Sequence, residues 1–122
     1  MYQSFEKLDV WKRSAALAVR IYEILNECRD FGLKDQMTRS AISIPSNIAE
    51  GAERGSTKEF VRFLHIAKGS AAELRTQVFI AKKIGLIDSA EKDELIKELI
   101  EISSMLHALI KSINKKNLKL NT

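Results

Sequence analysis

An all-α fold, an antiparallel up-down-up-down four-helix bundle with a proline-kinked second helix, is what this chain predicts, and three observations carry it. Apolar residues recur at steps of three and four along its length, the period of a helix with 3.6 residues per turn. Stop and start signals punctuate the pattern three times, around Gly32, from Gly55 to Glu59 and from Gly85 to Glu91. Aromatic residues make up only 7% of the chain, and five glycines with one proline supply too little turn chemistry for a sandwich or barrel.

The first helix is expected from an N-cap at Asp9 to about Arg29. Val10, Ser14, Leu17, Ile21, Ile24 and Cys28 form one stripe on it, and Trp11, Ala15, Ala18, Tyr22 and Leu25 form a second beside the first. Gly32 interrupts the chain before a second helix over about Leu33–Arg54. There Met37, Ala41, Ile44, Ile48 and Gly51 make an apolar seam, and Gln36, Ser40, Ser43, Asn47, Glu50 and Arg54 run alongside as a polar stripe. A polar stripe touching a core stripe demands partners, because buried polar groups are almost always hydrogen-bonded. Pro45 lies inside this run. It removes the bond to the Ala41 carbonyl, at about 3 kcal/mol if nothing compensates, and pushes Ile44 away from helical angles. Either two shorter helices meet there, or one kinked helix passes through with Ser43 or Asn47 bonding the freed carbonyl. The unbroken stripes on both sides favour the single kinked helix.

Gly55 ends the second helix, and Ser56-Thr57-Lys58-Glu59 reads as a capping box for the third. The third carries the seam Phe60, Leu64, Ala67, Ala71, Leu74, Val78 and Ala81 and stops at Gly85, placed as the glycine just beyond a helix end. Asp88-Ser89-Ala90-Glu91 caps a fourth helix with the seam Leu95, Leu99, Ile102, Leu106, Leu109 and Ile113. Short connections make sequential helices antiparallel neighbours. The seams test this on paper, since Phe60–Ile113, Leu64–Leu109, Ala67–Leu106, Ala71–Ile102 and Leu74–Leu99 all share one index sum. The domain is expected over residues 1–114, with 115–122 a short basic tail.

The run RSAISIPSNIAEG from Arg39 to Gly51, with Arg54 after it and EFVRFLHIAKGSAAEL from Glu59 to Leu74, resembles the four-helix bundle proteins encoded in intervening sequences of large-subunit ribosomal RNA genes. Relatives of that family include the accessory variability determinants of diversity-generating retroelements. The resemblance spans roughly residues 5–113. It implies a single kinked second helix, a barrel-shaped homopentamer, and nucleic acid or a reverse transcriptase as partner.

Catalytic and metal constellations are sparse. A di-iron bundle needs carboxylates with a Glu-x-x-His spacing on facing helices, but neither His65 nor His107 has a glutamate three residues before it. There is no glycine-rich phosphate loop. Ser4 with Lys7 and Ser112 with Lys115 match a Ser-x-x-Lys spacing only at the ends of helical segments. Cys28, the one cysteine, sits on a core stripe and reads as a small buried hydrophobe in a reducing compartment. Glu50 and Glu73 could be paired acid–base carboxylates. The simpler reading makes them halves of ion pairs across the second and third helices, Arg39 with Glu73 and Glu50 with Arg62. A structural polar network of Arg39, Ser43, Asn47, Glu50, Arg54, Ser70 and Glu73 follows. No enzyme activity, cofactor, metal or small-molecule substrate is expected.

Charge is uneven although its formal sum is only +4. Residues 34–83 hold nine basic and five acidic side chains, residues 84–110 two basic and six acidic, and beyond Glu101 no acid offsets Lys111, Lys115, Lys116 and Lys119. Lys58, Arg62, Lys68, Arg75 and Lys82 lie on an outer arc of the third helix. With Lys111, Lys115 and Lys116 they are the candidate nucleic-acid contacts, which would be sequence-tolerant because no base-reading motif accompanies them. Trp11, Val61 and Phe79 are apolar where a lone surface helix would be polar, so they are the candidate oligomer contacts. The competing function is a ring-shaped protein–protein adaptor or scaffold without nucleic-acid binding. Uncharged runs such as Ser40–Ala49 fall far short of the roughly 20 residues of a membrane span, and with no signal-like N-terminus the expected location is the cytoplasm.

Overall fold

The computed structural model describes residues 4–120, with side chains from Ser4 to Asn117. Among the described residues every regular element is helical. A short 3-10 turn, Phe5–Lys7, precedes α1 (Asp9–Ile24), α2 (Phe31–Glu53), α3 (Thr57–Lys83) and α4 (Ser89–Leu120). Each helix packs on the next in sequence, and α1 also touches α4, so the four enclose one core.

The apolar seams are that core. Met37, Ile44 and Ile48 of α2 are fully buried, as are Leu64, Ala67, Ala71, Leu74, Val78 and Ala81 of α3 and Leu99, Ile102 and Leu106 of α4. On α1 the stripe Val10, Ser14, Leu17, Ile21 faces inward. The buried Ser14 hydroxyl donates to the Trp11 carbonyl at 3.1 Å. The contacts along neighbouring helices run in opposite order. Thr57 at the start of α3 hydrogen-bonds Asn117 near the end of α4 (2.8 Å). Arg13 and Arg20 of α1 meet Glu98 and Glu94 of α4, and Ser43 and Gly51 of α2 lie by Ser70 and Phe63 of α3.

Local chemistry sets the helix ends. Ser56 caps α3, its hydroxyl accepting from the Glu59 amide at 3.2 Å. Asp88 and Glu91 exchange reciprocal bonds at the start of α4, Glu91 N–H to Asp88 Oδ1 (2.8 Å) and Asp88 N–H to Glu91 Oε1 (3.0 Å). At the end of α3, Gly85 adopts φ +83°, a left-handed angle that costs a residue with a Cβ. The Leu86 amide reaches back to the Ala81 carbonyl (2.9 Å) and the Gly85 amide to that of Lys82 (3.1 Å). Those two bonds are a Schellman stop.

Four expectations are corrected. Asp9 is the first helical residue rather than the cap, because Leu8, held by the preceding 3-10 turn, occupies the cap position. α1 ends at Ile24, not near Arg29. α2 begins earlier than expected because Asp30 accepts from the Leu33 amide at 3.1 Å, which leaves Gly32 inside the first turn. Finally, α4 does not stop near residue 114. It continues to Leu120, so Lys115 and Lys116 ride on the helix rather than in a separate tail, while the Lys119 side chain lies outside those described. Pro45 sits within an uninterrupted α2. The Asn47 amide bonds the Ser43 carbonyl (2.8 Å) and hydroxyl (2.9 Å), not the Ala41 carbonyl that the proline frees.

Candidate nucleic-acid interface

The interface between α2 and α3 holds the polar stripe. Ser43 and Ser70 share a hydrogen bond of 2.8 Å, and Asn47 completes the trio through Ser43. Gly51 packs directly against Phe60 and Phe63 of α3. A methyl group there would stand 2.7 Å from Phe63 Cβ.

The long charged members of the expected network take other partners. Arg39 pairs with Asp35 one turn back on its own helix, Nε to Oδ2 at 2.9 Å, and Glu73 is exposed with no ion pair among the described residues. Glu50 pairs with Arg54 (2.9 Å), and Arg62 pairs with Glu59 (2.7 Å). The Ser43–Ser70 hydrogen bond ties the two helices together. The Arg39–Glu73 and Glu50–Arg62 pairs nevertheless do not form. Side chains three and four apart on one helix already meet, which costs less ordering than reaching across an open face.

The basic arc divides. Arg62 and Arg54 both lie against the Phe63 ring, 4.5 and 4.9 Å from its centre, with Glu50 and Glu59 among them. This corner is a locally neutral cluster. The hydrogen bond from Arg62 holds the Glu59 carboxyl below the usual carboxylate range, and Glu59 raises Arg62 in return. By contrast Lys58, Lys68, Arg75, Lys82, Lys111, Lys115 and Lys116 form no ion pair among the described residues. Lys68, Arg75 and Lys82 recur every seven residues and so share one stripe of α3.

Two members of that stripe, Lys68 and Arg75, line a groove between α3 and α4 with two lobes joined at Arg75. One lobe, of about 320 Å³, is lined by Lys68, Arg75, Ile100, Ser103, Ser104 and His107. The other, of about 530 Å³, is lined by Ala72, Arg75, Thr76, Phe79, Lys92 and Ile96. Lys92 is partly balanced by Asp93 at 3.3 Å. The α4 wall comes from steps of four and three through residues 92, 96, 100, 103 and 107, a single helical face. Sequence reasoning placed the cations but missed this wall. Its signal was present in Ile96 and Ile100, apolar residues outside the α4 seam.

The candidate oligomer contacts differ among themselves. Trp11 is half-buried, packed on the core and edge-on to Phe5 at 5.4 Å. Val61 is half-buried against the core, whereas Phe79 is 54% exposed. The junction of α1 with α4 is different again. Between α1 and α4 a cleft of about 760 Å³ is bridged by Arg13–Glu98 and Arg20–Glu94. No group of three or more His, Cys, Asp or Glu side chains converges among the described residues, and none of the described helices is long and apolar enough to cross a membrane.

These features define an all-α, four-helix protein with a cation-bordered surface groove. Residues 6–108 match the family model of the 23S rRNA-intervening sequence protein, and the chain belongs to that family. The fold is similar to the crystal structure of a protein of unknown function from the S23 ribosomal protein family of Bacteroides thetaiotaomicron, at 30% identity and a TM-score of 0.79, over 84% of this chain and 98% of that one. Among curated proteins none matches the chain.

Proposed function

We propose that this protein is a non-enzymatic, sequence-tolerant binder of RNA or DNA that holds the phosphate backbone along the α3 stripe. The observation that carries this reading is the set Lys68, Arg75 and Lys82, equally spaced and without carboxylate partners among the described residues, of which Lys68 and Arg75 line a groove that adds Ser103, Ser104 and His107. Cations already paired with carboxylates gain little from a phosphate, so Arg62 is a weaker contributor than its charge implies. Lys58, Lys111, Lys115 and Lys116 extend the positive surface. Each phosphate neutralised releases condensed counterions, so binding should weaken steeply with salt.

The protein acts on this reading as a closed homo-oligomer in the cytoplasm, a pentamer by the family resemblance, in which repetition of the stripe would make a belt. The exposed Ile66, Ile80 and Ile84 favour subunit contacts, because apolar patches on one face of a helix ask to be covered. Light scattering tests that part. A monomer at micromolar concentration removes the oligomer.

Fluorescence anisotropy with labelled RNA and DNA at increasing salt tests the binding. Replacing Lys68, Arg75 and Lys82 together by Gln should weaken binding to all sequences alike and flatten the salt slope by about 2, at roughly 0.7–0.9 per lost contact. No binding by the intact protein at low salt refutes the reading and leaves the protein-adaptor function, whose apolar docking would hardly respond to salt.

A further inference from the structure

The groove beside Arg75 is not purely electrostatic. Phe79 is a large aromatic side chain more than half exposed on α3. It lines the same lobe as Arg75, Thr76, Ala72, Lys92 and Ile96. Lys83 lies 5.8 Å from its ring centre, and Ile100, 45% exposed, continues the apolar floor into the Lys68–His107 lobe. A duplex presents only phosphates and groove edges to a surface, with its base faces stacked away inside. It would therefore gain nothing from an aromatic ring set between cations. An unpaired strand offers both of its surfaces, phosphates to the cations and base faces to the ring.

We infer that the α3–α4 groove is a single-strand site in which Phe79 stacks an unpaired base while Lys68, Arg75 and Lys82 hold the flanking phosphates. The inference rests on the nucleic-acid reading above and narrows it from any nucleic acid to unpaired strands. Charge selects the occupant. No carboxylate lines either lobe of the groove; Asp93 answers only Lys92, and Lys68 and Arg75 stay uncompensated among the described residues. A neutral or basic peptide would find the apolar floor but leave the cations unanswered. Stacking is indifferent to base identity because every base has a π-face, so this site agrees with tolerant recognition.

The test compares a single-stranded oligonucleotide with the blunt duplex made from it, by anisotropy at one low salt concentration, using the intact protein. Phe79→Leu keeps an apolar side chain of similar size without the ring, and Phe79→Trp keeps a ring. The expected result is a roughly tenfold loss of single-strand affinity for Phe79→Leu, within the range of one stacked base, an unchanged duplex affinity, and recovery in Phe79→Trp. Helical circular dichroism and light scattering accompany each variant. Unchanged single-strand binding in Phe79→Leu overturns the stacking site, and the broader function then stands if the Gln variant of the three cations still weakens binding. Equal losses on both ligands with a drop in particle mass also overturn it, assigning Phe79 to a subunit contact. Failure of the intact protein to bind either ligand is the separate result that refutes the function itself.

Discussion

Between α2 and α3 the backbones approach until Gly51 has no room for a methyl group, whereas between α1 and α4 two Arg–Glu pairs bridge a cleft of about 760 Å³. The first seam uses small residues and short polar groups, Gly51, Ser43, Ser70 and Asn47, and its contacts are the most extensive in the molecule. The second has far fewer contacts and relies at its rim on long, partly solvated side chains. Close packing brings many atoms within dispersion range and tolerates little change in volume. Half-exposed ion pairs contribute little each, typically below about 1 kcal/mol. The fold should therefore be sensitive on one side and forgiving on the other.

Equal truncations on the two sides are the strongest way to break this contrast. Leu74→Ala, at a fully buried α3 position, should cost about 3–5 kcal/mol in urea unfolding. Leu17→Ala, beside the α1–α4 cleft, should cost about 2–3, because the emptied space can open to solvent. Equal losses would abolish the distinction.

A second pair isolates the close approach. Gly51→Ala gains helix propensity yet drives its methyl into Phe63 Cβ and Phe60, so a net loss of about 1–3 kcal/mol is expected. Gly69→Ala makes the same change in a helix interior with open space around it and should instead stabilise by about 0.5–1 kcal/mol. Thermal unfolding of the two variants should move Tm in opposite directions.

Smaller effects sharpen the picture. Ser70→Ala removes one partner of Ser43 but leaves Asn47 bonded to it, so the loss should be about 1 kcal/mol. At the ionic seam, the hydrogen bond from Arg20 holds the Glu94 carboxyl below its ordinary value. A carboxylate with a depressed folded pKa contributes stability that is present above the unfolded value and lost as pH falls through the folded one. Titration followed by NMR should find the Glu94 midpoint below that of a free glutamate, and Arg20→Gln should return it upward with little change in stability at neutral pH.

The seams were legible because helical periodicity records burial directly. Met37, Ile44 and Ile48, or Leu99, Ile102 and Leu106, are apolar for the same reason that they are inside. The caps at Ser56 and Asp88 and the stop at Gly85 were legible because a few adjacent residues decide them. Sequence did not reveal which carboxylate each arginine takes. Arg39 has Asp35 one turn back along its own helix as well as the expected Glu73 on α3, and only the three-dimensional surface chooses between them. Phe79 is out of place on a lone surface helix, but its neighbours Lys92 and Ile96 are supplied by another helix. Local spacing on α3 could not identify them, so the groove became visible only once α4 was in place. The first turn of α2 was not legible because glycine is a poor helix former, yet the Asp30 cap two residues earlier holds Gly32 inside the helix.

The reversal at Gly85 has a kinetic consequence. Stop, turn and restart are complete within eleven residues, Ala81–Glu91, and their hydrogen bonds need no partner elsewhere in the chain. Closing so short a connection costs little loop entropy, and contacts near in sequence form early in helical proteins. The α3–α4 hairpin is thus suited to be part of the folding nucleus. Substitutions at Gly85 or Asp88 should slow refolding, whereas weakening the Arg13 and Arg20 bridges to α4 should chiefly speed unfolding.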